Sequence, residues 1–283
     1  MKEKELNVLV VGLGLIGASF AAALKVNEPG WKISGFDMLP ESILFSIENK
    51  FIDKKVNKST LKAEIAEADL VILAIPILEI IDFINSNKGQ FKQGSIIIDV
   101  GSTKEIVVGH MDQLPEHLNP IGGHPMTGMK TAGVTGPSPI LFEKKVFILT
   151  PSKKTSPSTI NFATKLVQTI GGIPLTIDPK KHDFIVALAS HLPYLLPTLM
   201  LKTAIEADES LIWEVAAGGF KSITKDAGHN VPMWEDILTT NSSSIIKSLE
   251  LLENQISDLK KLLKDNNTDK LSEYLRSTKH IAT

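Results

Sequence analysis

Three glycines within six residues, between a predicted strand and a predicted helix, constrain this chain most strongly. Residues 7–11 are apolar and β-prone, residues 16–25 have a helical pattern, and Gly12-Leu13-Gly14-Leu15-Ile16-Gly17 joins them. Glycines here permit a tight turn, a close approach of backbone to ligand, and close contact between helix and strand. N–H groups at the helix start favour negative charge. The pattern predicts a dinucleotide pyrophosphate site formed by Gly12, Gly14, Leu15, Ile16 and Gly17.

An acidic residue follows the second predicted strand. Asp37 comes directly after residues 32–36 and lies about 20 residues past Gly17, where a carboxylate accepts hydrogen bonds from the adenosine ribose. A 2′-phosphate would be repelled there, and residues 38–40 contain no arginine to offset the repulsion, so the sequence predicts NAD as cofactor. The alternative for Asp37 is a solvated turn carboxylate. We also assign Pro76, which ends the predicted strand at 70–75, to the cofactor site.

Strand and helix patterns alternate through the first half of the chain, which is typical of α/β proteins with a parallel sheet. The predicted strands cover residues 7–11, 32–36, 70–75, 95–100, 145–149 and 174–177. After Pro179 only helical patterns follow, at residues 180–208, 211–217, 234–239, 241–264 and 269–279. We therefore predict a nucleotide-binding α/β domain over residues 1–178 and an all-helical domain over 179–283.

An apolar stripe runs along the predicted helix at 241–264. Its members recur at alternating steps of four and three residues: Ile245, Leu249, Leu252, Ile256, Leu259 and Leu263. Packing within the chain explains such a stripe, and a seam between two subunits is the alternative.

Composition narrows the function classes. The chain of 283 residues is 43% hydrophobic and 22% charged with a formal net charge of −2, so it lacks the basic excess of nucleic-acid binding proteins. Because it has no cysteine, disulfides and thiolate metal sites are excluded; we predict no metal and a cytoplasmic location. Lys2 and Lys4 before the apolar run at 8–24 imitate a signal peptide, but the glycines within that run argue against export or membrane insertion.

A histidine flanked by glycines is the first candidate for chemistry. His124 lies in Gly122-Gly123-His124-Pro125-Met126-Thr127-Gly128, which predicts a loop with little apolar cover. A neutral imidazole can accept the proton of an alcohol while hydride leaves the same carbon. We therefore predict an acid/base role for His124; a buried core histidine is the alternative.

Hydroxyl groups follow the predicted strand at 95–100. In Asp99-Val100-Gly101-Ser102-Thr103-Lys104, Ser102 and Thr103 project from the carboxyl end of the strand, where open α/β sheets bind ligands. Ser102 is predicted to orient His124 and to contact the cofactor. Helix capping is the other interpretation of these hydroxyls, and the two are compatible.

Several motifs together resemble the prephenate/arogenate dehydrogenase family of tyrosine biosynthesis. They are the glycine motif, the segment 99–104, Gly122-Gly123-His124-Pro125-Met126, Ser190-His191-Leu192-Pro193 and Gly218-Gly219-Phe220-Lys221. The resemblance implies a Rossmann-type doubly wound domain followed by an all-α dimerisation domain, and hence a homodimer. It also implies that His124 is the catalytic histidine, that Ser102 bonds to it and to the substrate hydroxyl, and that His191 lines the substrate pocket.

Three positions depart from the family pattern, and all concern the substrate. Tyr194 replaces a second histidine, Lys225 replaces a carboxylate-binding arginine, and Lys130 replaces an acidic residue. Lysine keeps the charge but loses the bidentate fork of arginine. The predicted substrate residues are His191, Tyr194, Lys221, Lys225 and Trp234.

The resulting prediction is an NAD-dependent prephenate dehydrogenase, with arogenate as the alternative substrate. Another two-domain NAD dehydrogenase, or an NAD-binding regulator without catalysis, explains His124 and Ser102 less well. His182 and His191 are not expected to share a metal, because nine residues of helix point their rings to opposite faces. Neither nucleic acid nor membrane is predicted as a partner.

Overall fold

The computed structural model describes residues 5–127, 136–225 and 227–279. By contacts the chain forms two compact units. The first unit comprises the residues up to Asp183 together with 230–240, and the second comprises 184–229 and the residues from 241 onward. The sequence placed the boundary between 178 and 179 and assigned 230–240 to the helical domain, whereas these residues pack with the first unit.

An eight-stranded sheet forms the centre of the first unit, in the order β3-β2-β1-β4-β5-β6-β7-β8. Its strands are β1 Asn7–Val11, β2 Lys32–Phe36, β3 Lys54–Val56, β4 Leu70–Leu73, β5 Ile96–Asp99, β6 Asn119–Pro125, β7 Val146–Pro151 and β8 Ile173–Thr176. Strands β1 to β6 are parallel, β7 is antiparallel to β6, and β8 is parallel to β7. The predicted doubly wound α/β fold is confirmed.

Helices cover both faces of this sheet, which explains the uninterrupted apolar character of its strands. Along β1, Val8 and Val10 face one apolar cluster, while Leu9 and Val11 face the other. The helices of the first unit are α1 Leu15–Asn27, α2 Pro40–Glu48, α3 Leu61–Glu67, α4 Ile77–Asn87, α5 Glu105–Met111, α6 Pro157–Thr169 and α11 Val231–Thr240; α7 Pro179–Val186 crosses from the first unit into the second.

The prediction of a loop around His124 is wrong, because residues Asn119–Pro125 form strand β6. His124 pairs with Ile148 of β7 and is only 8% exposed. Its neighbours must be glycines: a Cβ on Gly122 would overlap Thr150 Oγ1, and one on Gly123 would lie 2.6 Å from Asp99 O. The glycines therefore permit close packing between strands and do not mark a loop with little apolar cover.

The second unit is helical, as predicted. It contains a π-helical turn Ala187–His191, α8 Leu192–Glu206, α9 Leu211–Val215, α10 Gly218–Thr224, α12 Ser242–Lys264 and α13 Thr268–Arg276. The π turn ends two residues before Pro193, which has no backbone N–H to continue the regular α-helical pattern. The stretch Pro179–Glu206 is long and apolar enough to span a membrane by length and composition alone.

The stripe on α12 is partly covered. Ile245 is buried, Leu249, Leu252 and Leu259 are partly buried, and Ile256 and Leu263 are 50% and 57% exposed. The predicted stripe therefore exists, and two of its six members are exposed in the single chain.

Candidate active site

The turn between β1 and α1 has the geometry that its glycines suggested. Gly12 adopts a φ of +91°, and a Cβ there would overlap Ala74 O. A Cβ on Gly17 would overlap Gly12 O, whereas nothing lies within 4 Å of a Cβ on Gly14. Gly12 and Gly17 thus make the turn possible, and Gly14 leaves open space in front of the helix N-terminus, where a pyrophosphate fits.

Asp37 fixes this turn from the end of β2. Its Oδ2 accepts a hydrogen bond from Leu13 N at 2.6 Å, and its Oδ1 accepts one from Leu39 N at 2.8 Å. The carboxylate lines a cavity of about 560 Å³ together with Gly12, Gly14 and Pro76. This cavity lies where the sheet order reverses between β1 and β4, the usual ligand position in open α/β sheets.

A second cavity of about 630 Å³ adjoins the first, since both are lined by residues 74–76 and Glu79. Ile16, Pro76 and Ser102 line it from the sheet side, and Met233 and Asp236 of α11 line it from the other. Of the predicted cofactor residues, Gly12, Gly14, Ile16, Asp37, Pro76 and Ser102 line one or both cavities. Leu15 packs against the core instead.

His124 belongs to a line of buried polar side chains. Its Nδ1 lies 2.8 Å from His182 Nε2, and His182 Nδ1 lies 2.7 Å from Asp183 Oδ1. The Asp183 carboxylate accepts hydrogen bonds from Lys104 N at 2.7 Å and Glu105 N at 2.9 Å, at the start of α5. No local sequence pattern predicts this role of His182 and Asp183. Their adjacency is the only signal, and His182 was considered only as a metal ligand together with His191.

Lys104, whose backbone N–H bonds to Asp183, also forms an ion pair with Asp99, and both side chains are fully buried. Burial raises the pKa of Asp99 and lowers the pKa of Lys104, while the charge of each partner opposes the effect. Asp99 also accepts hydrogen bonds from Gly101 N at 2.9 Å and from Gly123 N at 3.4 Å. The pair thereby joins the end of β5 to the strand that carries His124.

Burial favours the neutral form of His182. Burial lowers its pKa below the usual 6.5, and the nearby charge of Lys104 acts in the same direction. The hydrogen bond and the charge of Asp183, together with the charge of Asp99, oppose this shift without reversing it.

Ser102 lies three residues past Asp99, the last residue of β5, and β5 pairs in parallel with β6, the strand that carries His124. Within the described ranges, the Ser102 side chain makes no hydrogen bond to protein, and His124 is bonded by His182 instead. The orienting contact that we assigned to Ser102 thus comes from His182.

Comparisons with known proteins agree on one family. The sequence model described as the prephenate dehydrogenase nucleotide-binding domain matches residues 20–174, and that of the prephenate dehydrogenase dimerization domain matches residues 178–277. Prephenate dehydrogenase of Bacillus subtilis is 30% identical over 99% of this chain and 76% of its own length. The chain belongs to the prephenate dehydrogenase family.

Solved structures of family members share the whole fold. Prephenate dehydrogenase from A. aeolicus, in complex with hydroxyphenyl propionate and NAD⁺, has a TM-score of 0.88 at 28% identity and covers 99% of this chain and 98% of that one. Arogenate dehydrogenase from Synechocystis has a TM-score of 0.84 at 25% identity, covering 97% and 98%. The predicted family is therefore confirmed.

Four of the predicted substrate residues, His191, Tyr194, Lys221 and Lys225, lie in the second unit. His191 Nδ1 lies 3.2 Å from Asn241 Nδ2, and Tyr194 OH donates to His229 O at 3.0 Å. Lys221 lies on α10 and Lys225 follows its end, one helical turn later. Trp234 is a residue of α11 and therefore belongs to the first unit, where it packs against the apolar core. Lys130 lies outside the described residues.

Proposed function

We propose that this chain is an NAD-dependent prephenate dehydrogenase, which converts prephenate to 4-hydroxyphenylpyruvate and carbon dioxide in tyrosine biosynthesis. The observation that carries the proposal is the position of His124, buried at the carboxyl end of the parallel strands in the unit that holds the glycine turn. Family membership supplies the reaction class, and the open space before Gly14 together with the Asp37 carboxylate fits NAD.

In the proposed reaction, His124 accepts the proton of the ring hydroxyl. NAD, held by the glycine turn Gly12–Gly17 and Asp37, would accept the hydride from the carbon that bears this hydroxyl. The dienone that results loses its ring carboxylate as carbon dioxide, and the gain of aromaticity drives this step. Ser102, at the rim of the second cavity, contacts cofactor and substrate hydroxyl and keeps the reacting carbon in position.

The proposal assigns substrate binding to His191, Tyr194, Lys221, Lys225 and Trp234. Lys221 and Lys225 carry the positive charge that the two carboxylates of prephenate require. Because lysine is a point charge, it holds a carboxylate less directionally than an arginine does. Carboxylate binding is therefore looser than with an arginine at 225.

Arogenate is the second candidate substrate. It differs from prephenate by an amino group in place of the side-chain ketone, and one structural relative is an arogenate dehydrogenase. Lys225 stands where an arginine is expected to bind a substrate carboxylate, and prephenate and arogenate both carry carboxylates. The substitution therefore does not separate the two substrates, and both are tested.

We propose a homodimer formed through residues 179–283, with residues 1–178 as the nucleotide-binding domain. The half-exposed Ile256 and Leu263 on α12, and the exposed apolar side chains of α8 such as Leu199, are the surface that a second copy would cover. A cytoplasmic location, with neither nucleic acid nor membrane as a partner, completes the proposal.

A substrate comparison tests the function. Purified protein is mixed with NAD and either prephenate or arogenate, and the reduced cofactor is followed by its absorbance. We expect NADH to form with prephenate, with one carbon dioxide released per NADH, and a slower reaction when NADP replaces NAD. Absence of reduction with both substrates would contradict the proposal, and a clear preference for arogenate would assign the chain to the second candidate.

A further inference from the structure

The line of buried side chains behind His124 defines which nitrogen of each imidazole carries a proton. The Asp183 carboxylate is only an acceptor, and it already receives the backbone N–H groups of Lys104 and Glu105. His182 Nδ1, at 2.7 Å from this carboxylate, must therefore be the donor.

The neutral state of His182 determines the next contact. With its proton on Nδ1, the neutral ring offers a lone pair at Nε2. His124 Nδ1, at 2.8 Å from that atom, must then donate its N–H, which leaves the lone pair of His124 on Nε2. This is the tautomer that a proton acceptor needs if its Nε2 is to meet a substrate hydroxyl.

We propose that His182 is a positioning residue that holds His124 in the tautomer with the lone pair on Nε2, and that Asp183 holds His182 in turn. The inference deepens the proposed function and depends on it for its catalytic meaning. When His124 Nε2 takes the hydroxyl proton, the imidazolium keeps its Nδ1–H bond to His182, and the Asp183 carboxylate offsets the new positive charge.

The surroundings make this arrangement rigid. His182 is completely buried and Asp183 is 1% exposed, so water does not compete for their hydrogen bonds. Asp183 is fixed by two backbone N–H groups, and Lys104, which provides one of them, is itself paired with Asp99. Asp99 accepts from Gly123 N, next to His124, so the network closes on the strand that carries the base.

Two amide substitutions separate this role from a purely structural one. In His182→Gln the amide oxygen can occupy the position of Nε2 and still accept from His124 Nδ1. In His182→Asn the shorter amide can replace Nδ1 and donate to Asp183, but it does not reach His124. We expect His182→Asn to lower kcat about 10- to 100-fold, the loss of one hydrogen bond to a group that becomes charged, with KM for NAD unchanged. His182→Gln should keep most of the activity, and thermal unfolding of both variants monitors the fold.

The tautomer itself can be observed without turnover. ¹⁵N NMR of the imidazole nitrogens in the protein without substrate should show His124 protonated on Nδ1 in the wild type and in His182→Gln, and protonated on Nε2 in a large fraction of His182→Asn. Wild-type protein with His124 protonated on Nε2 would overturn the inference, as would equal activity of the two variants. Failure of the wild type to oxidise prephenate would refute the proposed function instead, and the NMR result would still decide the tautomer.

Discussion

The cofactor end of the first unit, Gly12–Gly17 with Asp37, and its histidine end, His124 with His182 and Asp183, are built in different ways. At the cofactor end the backbone forms the site, and Asp37 bonds to backbone N–H groups of the same turn. At the histidine end buried side chains form the site, and its two histidines are 58 residues apart. Substitutions should therefore separate binding from chemistry: the cofactor end controls NAD affinity, and the histidine end controls the rate.

His124→Asn should give the largest loss of activity and should separate the reaction rate from NAD binding most clearly. The amide cannot accept a proton at neutral pH, so kcat should fall about 10²- to 10⁴-fold, the contribution of one general base. NAD affinity, measured by fluorescence titration, should stay within error of the wild type. Full turnover in this variant would end the assignment of His124 as the base.

Lys104→Met tests whether the histidine end depends on its buried ion pair. The substitution leaves the Asp99 carboxylate buried without its partner, which costs about 3–5 kcal/mol in the free energy of unfolding. The double variant Asp99→Asn/Lys104→Met removes both charges and should be more stable than the single variant, as measured by urea unfolding. If the single variant were as stable as the double, the pair would not have the importance given to it here.

Gly17→Ala and Gly14→Ala are matched substitutions at the cofactor end. The Cβ of Gly17→Ala overlaps Gly12 O, so the variant should lose about 1–3 kcal/mol of stability. Gly14→Ala meets no protein atom and should unfold at the wild-type temperature, yet bind NAD more weakly because the methyl group occupies space for the pyrophosphate. Unchanged NAD affinity in Gly14→Ala would mean that the pyrophosphate lies elsewhere.

Asp37→Asn should have a smaller effect, a moderate loss of NAD affinity at the cofactor end. The amide can accept the bond from Leu13 N or from Leu39 N, but not both, and it loses the charge that excludes NADP. A hydrogen bond to a charged group contributes about 1.5–3 kcal/mol, so NAD affinity should fall about 10-fold. The preference for NAD over NADP should narrow, and an unaltered preference in competition titrations would contradict the ribose contact.

The smallest effect concerns the pH dependence of stability. The pKa of His182 is lowered by folding, so below its ordinary value of 6.5 the unfolded chain binds a proton that the folded chain does not. Stability should therefore fall as the pH drops from 6.5 toward the folded-state pKa, by at most about 1.4 kcal/mol per pH unit from this group. His182→Gln should lack this component, and identical pH profiles of stability would show that His182 does not titrate as described.

The two ends also differed in how far the sequence could predict them. The strands at 7–11 and 32–36, the glycine turn and Asp37 follow from residues close together in the chain, and the structure has β1 and β2 at these bounds. Strand β6 was missed because proline and glycine are poor strand formers, and pairing with β5 and β7 on both sides overrides that preference.

The contacts of His124 could not be read from local pattern. His182 comes from helix α7, after the last strand, and only the completed fold brings its ring to His124. The serine identified from motif resemblance does lie at the second cavity, but the residue bonded to His124 was the histidine considered only as a metal ligand. Long-range side-chain pairing was the missing information.

A crystal structure of this chain with NAD and hydroxyphenyl propionate would test the central claim most directly. We expect the nicotinamide in the cavity lined by Ser102, and the phenol oxygen about 2.6–3.2 Å from His124 Nε2, with Nδ1 still bonded to His182. A nicotinamide bound away from that cavity, or a phenol oxygen held by another residue with His124 out of reach, would contradict the proposed reaction while leaving the fold and the family unchanged.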